Sequence, residues 1–396
     1  MNKSVSRAVI PVLTAMVALG PVSTDLYLPS LPSIGSFFSA SVSQTQLTLS
    51  VFMLGFAGGT LIYGPMSDRF GRRPLILAGL VLFAVSSIGC ALAGSIEQLL
   101  ALRLVQGIGS AAGVVLSRAV VRDLFAREEA ARILSYMSGV MALAPALAPI
   151  LGGWIHLGFG WRGQFAALTI MGVALLTAAK VLVVETNSSL NAQATRPATL
   201  VRNVARLLSH GGFIGYALTT GLSYGGLFSF ISGGAFVVIG VLGVAPENFG
   251  YLFIFVAGGF VSGALIGGRL TKRLGIHAMM RAGVWIGLGA GLLGLGLAVA
   301  GVQTLPAVIG PVALVFFSCA LVFPNAMAGA IAPFPDMAGT ASSVASFLQM
   351  TVGALIGVAV GVLHDGTTVP LFAVIACSTL GALGVFYTVI RRGAGA

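Results

Sequence analysis

The most costly residue to place is Asp25. It is the one charge in the run from Ala8 up to Asp68, inside the stretch GPVSTDLYLPSLP, residues 20–32. In a bilayer an acid at mid-depth costs on the order of 2.5–3.5 kcal/mol on insertion scales. The neutral form escapes most of that cost, so such a group can load and release a proton as its surroundings change. A second charge sits in a similar setting. Arg103, Gln106 and Gly107 fall at i, i+3 and i+4, on one face of a helix. A guanidinium keeps its charge at any relevant pH. Arg103 can therefore stabilise ionised Asp25 or hold a polar group of a bound molecule. Proton arrival at Asp25 would break the pair and free Arg103, a two-state element. Around this pair the expected apolar contacts are Tyr27, Phe52, Phe228, Phe230 and Phe323, and the expected polar ones are Tyr224, Asn325, Ser342 and Gln349. An aromatic cavity with a few polar groups suits a hydrophobic or amphipathic small molecule.

The elements that must position these residues follow from composition. Of 396 residues, 57% are hydrophobic and 8% charged, with a mean hydropathy of +1.02. A soluble domain carries about 25% charged residues, and no aqueous fold of this length could hide so much apolar surface. A span needs about 20 apolar residues, and twelve such stretches run from one centred near Gly20 to one near Ala376. The predicted class is an all-α membrane protein. The first 23 residues read as its first span, not as a signal peptide, because no small-x-small cleavage site follows and apolar spans continue throughout.

The net charge is +11. With both termini on the inner side and alternating spans, every Lys and Arg falls inside except Arg162, Arg103 and Arg118. The inner set includes Lys3, Arg7, Arg391 and Arg392 near the two ends. This is the positive-inside pattern, so the basic charge sets topology and gives no reason to expect a nucleic-acid partner. Cys90, Cys319 and Cys377 read as buried small hydrophobes with no metal spacing. No G-x-x-x-x-G-K-[ST] loop, ligand cluster or nucleophile–base set occurs. Neither a cofactor, a metal nor an enzymatic activity is expected.

The one long polar break, from Glu185 to His210, divides the spans six and six. It reads as a cytoplasmic linker with a weakly amphipathic, basic second part. The expected units are residues 1–184, the linker 185–210, and residues 211–396. Ser67-Asp68-Arg69-Phe70-Gly71 aligns with Thr271-Lys272-Arg273-Leu274-Gly275 at a constant offset of 204 residues. Two pseudo-symmetric six-helix bundles in parallel orientation are a known transporter plan. Asp68 and Arg72 are four apart in the loop after span 2, where Asp68 could also cap a helix of the other half. Pro145 and Pro149 fall inside span 5, where kinks are expected, and Gly152 and Gly153 would then pack tightly against the opposite half.

GPMSDRFGRRP, residues 64–74, resembles the loop signature of the major facilitator superfamily, carried by Gly64, Asp68, Arg69, Gly71 and Arg72. RLVQGIGSA, residues 103–111, resembles that superfamily's span 4 motif. APILGG, residues 148–153, resembles its span 5 antiporter motif, with Ala148 in place of the first glycine and Ser135 and Ala144 in place of two earlier ones. TDLYLPSLP, SRAVVRDLF and GTASSVASFLQM together are similar to the bicyclomycin/chloramphenicol-resistance subfamily of drug:proton antiporters. The resemblance covers essentially the whole chain. It implies that Asp25 is the proton- and substrate-coupled acid. It also implies that Asp68, Arg72 and Asp123 form a charge network latching the halves in an outward-facing state. Lys272 at the equivalent place in the second half implies an asymmetric latch.

The expected function is proton-driven export of small amphipathic antimicrobials, phenicol-type compounds among them, across a bacterial inner membrane by a monomer with both termini cytoplasmic. The expected partners are the drug, protons and the lipid bilayer. A proton symporter or facilitator for a metabolite is the first alternative, although sugar symporters place more polar groups in the cavity than this chain offers. A polytopic receptor or membrane enzyme is the second, and would need a binding tail, a soluble domain or a catalytic cluster.

Overall fold

The computed structural model describes residues 8–187 and 189–390, apart from the side chains of Ala142 and Pro197. Lys3, Arg7, Arg391 and Arg392 lie outside the described residues. Among the described residues all regular structure is helical. Apolar chain in lipid must satisfy every backbone N–H and C=O within its own segment, and helices do so.

Among the described residues eleven helical segments are long and apolar enough to cross a membrane. One of them, α6 (Arg127–Leu182), has 56 residues, about 84 Å at roughly 1.5 Å per residue and far too long for one crossing. Gly160 breaks it, with φ 67° and ψ −172°. It therefore serves as spans 5 and 6, which brings the crossings to twelve. The remaining helices before the linker are α1 (Val9–Asp25), α2 (Leu31–Phe38), α3 (Val42–Phe70), α4 (Arg72–Leu92) and α5 (Ile96–Leu124). After α7 (Pro197–Leu208) come α8 (Gly211–Ala235), α9 (Pro246–Leu274), α10 (Ile276–Val299), α11 (Leu305–Ile331), α12 (Ala338–Leu363) and α13 (Val369–Val385).

The internal repeat reaches the backbone. Helices α3 and α9 each have 29 residues, and both of their ends are offset by the same 204 positions seen in the sequence. Each stops at a glycine of positive φ, Gly71 at 97° and Gly275 at 80°. Only glycine takes that conformation without strain, and α4 and α10 start on the following residue.

The first span is not the single continuous helix that its length suggested. Helix α1 ends at Asp25, a short 3₁₀ turn covers Leu28–Ser30, and α2 resumes at Leu31. The cause is Pro29: it has no N–H for the Asp25 carbonyl four residues back, and its ring crowds that carbonyl. In α6 the opposite happens. The chain runs through Pro145 and Pro149 with helical backbone angles, and the residue with non-helical angles is Gly160, eleven residues after the second proline.

At the end of the bundle away from the linker, the helices before and after the linker meet closely. Gly153 of α6 packs on Pro246 and Glu247 at the start of α9, and Gly250 of α9 packs on Pro149 and Ile150. Gly152, expected to face the later helices too, packs instead on the Leu26 carbonyl of its own half. Arg162 lies at the same end. Its Nε and Nη2 donate to the carbonyls of Ala91 (3.0 Å) and Ala93 (3.3 Å), where α4 ends. A cation is favoured at a helix C-terminus. Cys90 and Cys319 are buried as read from the sequence, but Cys377 is exposed on the outer face of α13.

At the linker end the amphipathic helix α7 lies against later helices. Leu207 is buried with Phe213, Phe334 and Val344, and Arg206 Nη1 reaches Asp336 Oδ2 at 2.7 Å.

Candidate functional site

A cavity of about 350 Å³ lies in the centre of the bundle. Helices α1, α3 and α6 wall it on one side and α8, α9, α11 and α12 on the other. Its lining is dominated by methionine and aromatic side chains, among them Met53, Phe56, Phe228, Phe260 and Phe323. The polar exceptions are Thr24, Asp25, Ser138, Tyr224 and Gln349, and Asp25 is the one formally charged residue lining it.

Asp25 sits at the broken end of α1 and is 3% exposed. Its side chain accepts one hydrogen bond from a neighbouring side chain, Thr24 Oγ1, at 3.2 Å. The same hydroxyl also donates to the Pro21 carbonyl at 2.8 Å. Across the cavity Tyr224 stacks on Phe228, with centroids 5.8 Å apart, and its hydroxyl donates to Met53 Sδ at 3.7 Å. One contact thus links α8 to α3 through the middle of the bundle.

Arg103 and Asp25 are not brought together. Arg103 is fully buried in α5 and does not line the cavity. Its Nη1 donates to Gln106 Oε1 (2.7 Å) and to the Ser23 carbonyl (3.2 Å), and its Nε to the Thr48 carbonyl (3.4 Å). The guanidinium lies over the rings of Phe52 (4.3 Å), Tyr27 (4.7 Å) and Phe165 (5.9 Å). Gln106 Nε2 in turn donates to Ser87 Oγ at 2.7 Å, and Tyr27 shares a hydrogen bond with Thr48. Arg103, Gln106, Tyr27 and Phe52 therefore form a cationic cluster behind the cavity wall. Aromatic faces and carbonyl oxygens hold the cation there, where a carboxylate was expected.

The second-half candidates divide in the same way. Tyr224, Phe228 and Gln349 line the cavity, whereas Phe230 is packed behind it against Phe253 and Phe316. Two residues apart on a helix point to nearly opposite faces, so Phe228 and Phe230 could not both face one cavity. The spacing of Tyr224 and Phe228, i and i+4, already marked the right face. Asn325 bends back to donate to the Leu321 carbonyl at 2.7 Å and does not reach the cavity; neither does Ser342. Sequence reasoning missed Thr24, Ser138, Met53, Phe56 and Phe260 as lining residues, because which apolar side chain faces inward depends on helix rotation.

The loop after α3 brings together the charges that its motif contains. Arg72 Nη1 lies 2.7 Å from Asp68 Oδ1, and its Nε 3.2 Å from Asp123 Oδ2. The Arg72 guanidinium also contacts Ser67 Oγ. Asp68 is engaged by Arg72 and not by the N-terminus of a later helix. Among the described residues the network is completed by the linker. Thr186 Oγ1 donates to Asp123 at 2.9 Å, and Asn187 Nδ2 to the Ser67 and Asp68 carbonyls at 3.2 and 3.3 Å. Arg69 Nη1 donates to Thr195 Oγ1 at 2.7 Å. Gly64 of the same motif has open space beside it.

Glu185, which sequence reasoning gave no role, joins α4 to the end of α6. Its carboxylate accepts from the backbone N–H of Arg72 (2.9 Å), Arg73 (3.0 Å), Thr186 (3.0 Å) and Asn187 (2.9 Å). Gly71 leaves room for it, since a β-carbon there would come within 2.5 Å of Glu185 Oε2. Burial alone would raise the Glu185 carboxyl. The backbone donors outweigh it and hold the group below its ordinary value. A carboxyl lowered in the folded state stabilises fully above the unfolded value, about 4.3, and loses that contribution as pH falls through the folded one. Glu185→Gln is therefore expected to lower the thermal midpoint of the purified protein at neutral pH. The gap to wild type should close as pH falls through the carboxylate range. A gap that stays constant with pH would remove the charge from the explanation.

With this geometry in view, comparison with known proteins is informative. Residues 13–358 match the model of the Major Facilitator Superfamily. A bicyclomycin resistance protein homolog of Haemophilus influenzae is 33% identical over 402 residues, 99% of each chain. A chloramphenicol resistance protein of Pseudomonas aeruginosa is 31% identical over 403 residues, covering 97% of this chain and 91% of that one. Among solved structures, a D-xylose–proton symporter superposes with a TM-score of 0.74 over 98% of each chain at 19% identity, a likeness of fold alone.

Proposed function

Because the chain belongs to the Major Facilitator Superfamily and is a multi-pass membrane transporter, we propose that it is a proton-coupled multidrug efflux antiporter. It exports small amphipathic antimicrobials, phenicols among them, from a bacterial cell across the inner membrane. Residues 1–184 and 211–396 form the two six-helix halves, the linker 185–210 and both termini face the cytoplasm, and the monomer works by alternating access without a cofactor. The relatives' resistance names support the substrate class.

The observation that carries the reading is the cavity itself. Its wall is aromatic and thioether-rich, and among the described residues Asp25 is the one carboxylic acid lining it. An apolar wall accepts many amphipathic shapes, and methionine side chains adapt to them. The ionised carboxylate is disfavoured there unless a proton or a polar or cationic group of the drug relieves it. Drug and proton then compete for one site, which is the condition for exchange. Arg103 is a fixed charge behind the wall and does not occupy the drug's site.

The halves meet at the end away from the linker, while among the described residues the Asp68, Arg72 and Asp123 network engages its own half and the linker. This arrangement corresponds to an inward-facing state in which the latch to the second half is not made. Few polar groups line the cavity, which disfavours a sugar-type symporter.

The sign of the coupled proton movement tests the proposal. Chloramphenicol added to proteoliposomes holding the wild-type protein should acidify the bath as drug enters and protons leave. Alkalinisation would mean symport, and no pH change with measurable uptake would mean a facilitator.

A further inference from the structure

We propose that Gln46 is a polar wedge that keeps the outer seal between the two halves close to its opening point, an inference that rests on the alternating-access reading. Gln46 lies in the first two turns of α3 and is fully buried. Both ends of its amide, Oε1 and Nε2, find no hydrogen-bond partner among the described residues. The side chain projects across the seam into the other half. Its Nε2 is 3.6 Å from where a β-carbon of Gly233 in α8 would stand. Its Oε1 is 2.9 Å from that of Gly361 in α12. Two glycines on two helices thus form the slot that admits it. One turn along α3, on the same face, Ser50 Oγ donates to the Ala354 carbonyl of α12 at 3.1 Å. That contact belongs to the same seam and is satisfied, whereas the amide beside it is not.

An amide buried in this seam gives up bulk water without gaining a protein partner, which disfavours the closed state by about tenfold in the equilibrium or more. Opening the seam returns the amide to water. The penalty applies to one of the two states, so it shifts the balance between them by its full size. A leucine or methionine would fill the slot with similar volume and no unpaired dipole, and the seal would hold harder. A methyl group at Gly361 does the reverse: it meets Oε1 and drives the wedge out.

The seam can be read by labelling. Cys90, Cys319 and Cys377 are replaced by alanine, and Ser50→Cys is introduced as a reporter that an impermeant maleimide reaches from outside only when the seam opens. Gln46→Leu and Gln46→Met should each slow labelling by about tenfold, since they remove the unpaired amide. Gly361→Ala should speed it. The second glutamine replacement keeps the test decisive if the first fails to fold. Labelling unchanged or faster in the folded glutamine variants would overturn the wedge while leaving the transport reading intact. Labelling absent in every variant, Gly361→Ala included, would mean that the seam never opens. Alternating access and the wedge would then fail together. None of these readouts depends on which drug is carried.

Discussion

Asp25→Asn is expected to abolish drug-driven proton release from proteoliposomes while drug binding persists. The substitution is nearly isosteric, so the shape of the cavity is kept. Thr24 Oγ1, which donates to Asp25 Oδ1 at 3.2 Å, keeps an acceptor in the amide oxygen. What disappears is the one carboxyl group that lines the cavity among the described residues. On the proposed reading this intramembrane acid is the proton site, and without it exchange has no second reactant at the drug's position. Coupled transport should fall to the background of protein-free liposomes. Binding of neutral drugs should change little. Binding of cationic drugs should weaken, because the ionised partner is gone. Acidification equal to that of wild type would reduce Asp25 to a structural acid and move the search to another carboxylate.

Gly152→Ala is expected to cost nearly as much, although it adds a single methyl group. A β-carbon at Gly152 would overlap the Leu26 carbonyl, the residue next to Asp25, where α1 has just been broken by Pro29. The obstacle is backbone, which cannot step aside as a flexible side chain can. Either α6 moves away from α1 or the broken end of α1 shifts and carries Asp25 with it. Overpacking of this kind costs on the order of 1–3 kcal/mol, and its structural effect falls on Asp25. Coupled transport should drop at least about tenfold, with a lower thermal midpoint. Gly158→Ala is the control: it lies in the same helix, and nothing stands within 4 Å of its β-carbon position, so both readouts should match wild type. Equal behaviour of the two variants would mean that the contact between Gly152 and Leu26 has no part in transport.

The site was legible from the sequence to different depths. Asp25 was visible because a single acid in an uncharged run of this length has no bland composition to hide in, and the structure puts it on the cavity. Asp68 and Arg72 of the loop motif and Asp123 near the end of α5 were expected in one network through the family resemblance, and their side chains meet. The partner expected for Arg103 was wrong in kind. Charge complementarity suggested Asp25, but the rings of Tyr27, Phe52 and Phe165 and the backbone carbonyls of Ser23 and Thr48 surround the guanidinium. Glu185 was invisible, since an acid at the edge of a polar linker looks like any solvated residue until α4 is seen to begin beside it.

What the amino-acid order determined alone was therefore whatever depends on neighbours along the chain. Composition demanded a bilayer, and hydrogen bonding in lipid demanded helices. The 204-residue repeat and the positive-φ glycines that end α3 and α9 were written locally, as was the break that Pro29 makes after Asp25. What only the tertiary structure decided was the rotation of each helix about its axis and the identity of the helix beside it. Those choices turned Phe228 towards the cavity and Phe230 away, put Gly153 and not Gly152 against the second half, and gave Arg103 its aromatic cage. In a bundle this apolar, almost every face could be buried. Hydrophobic patterning is then too uniform to assign partners, and close-packed contact between distant segments selects among them.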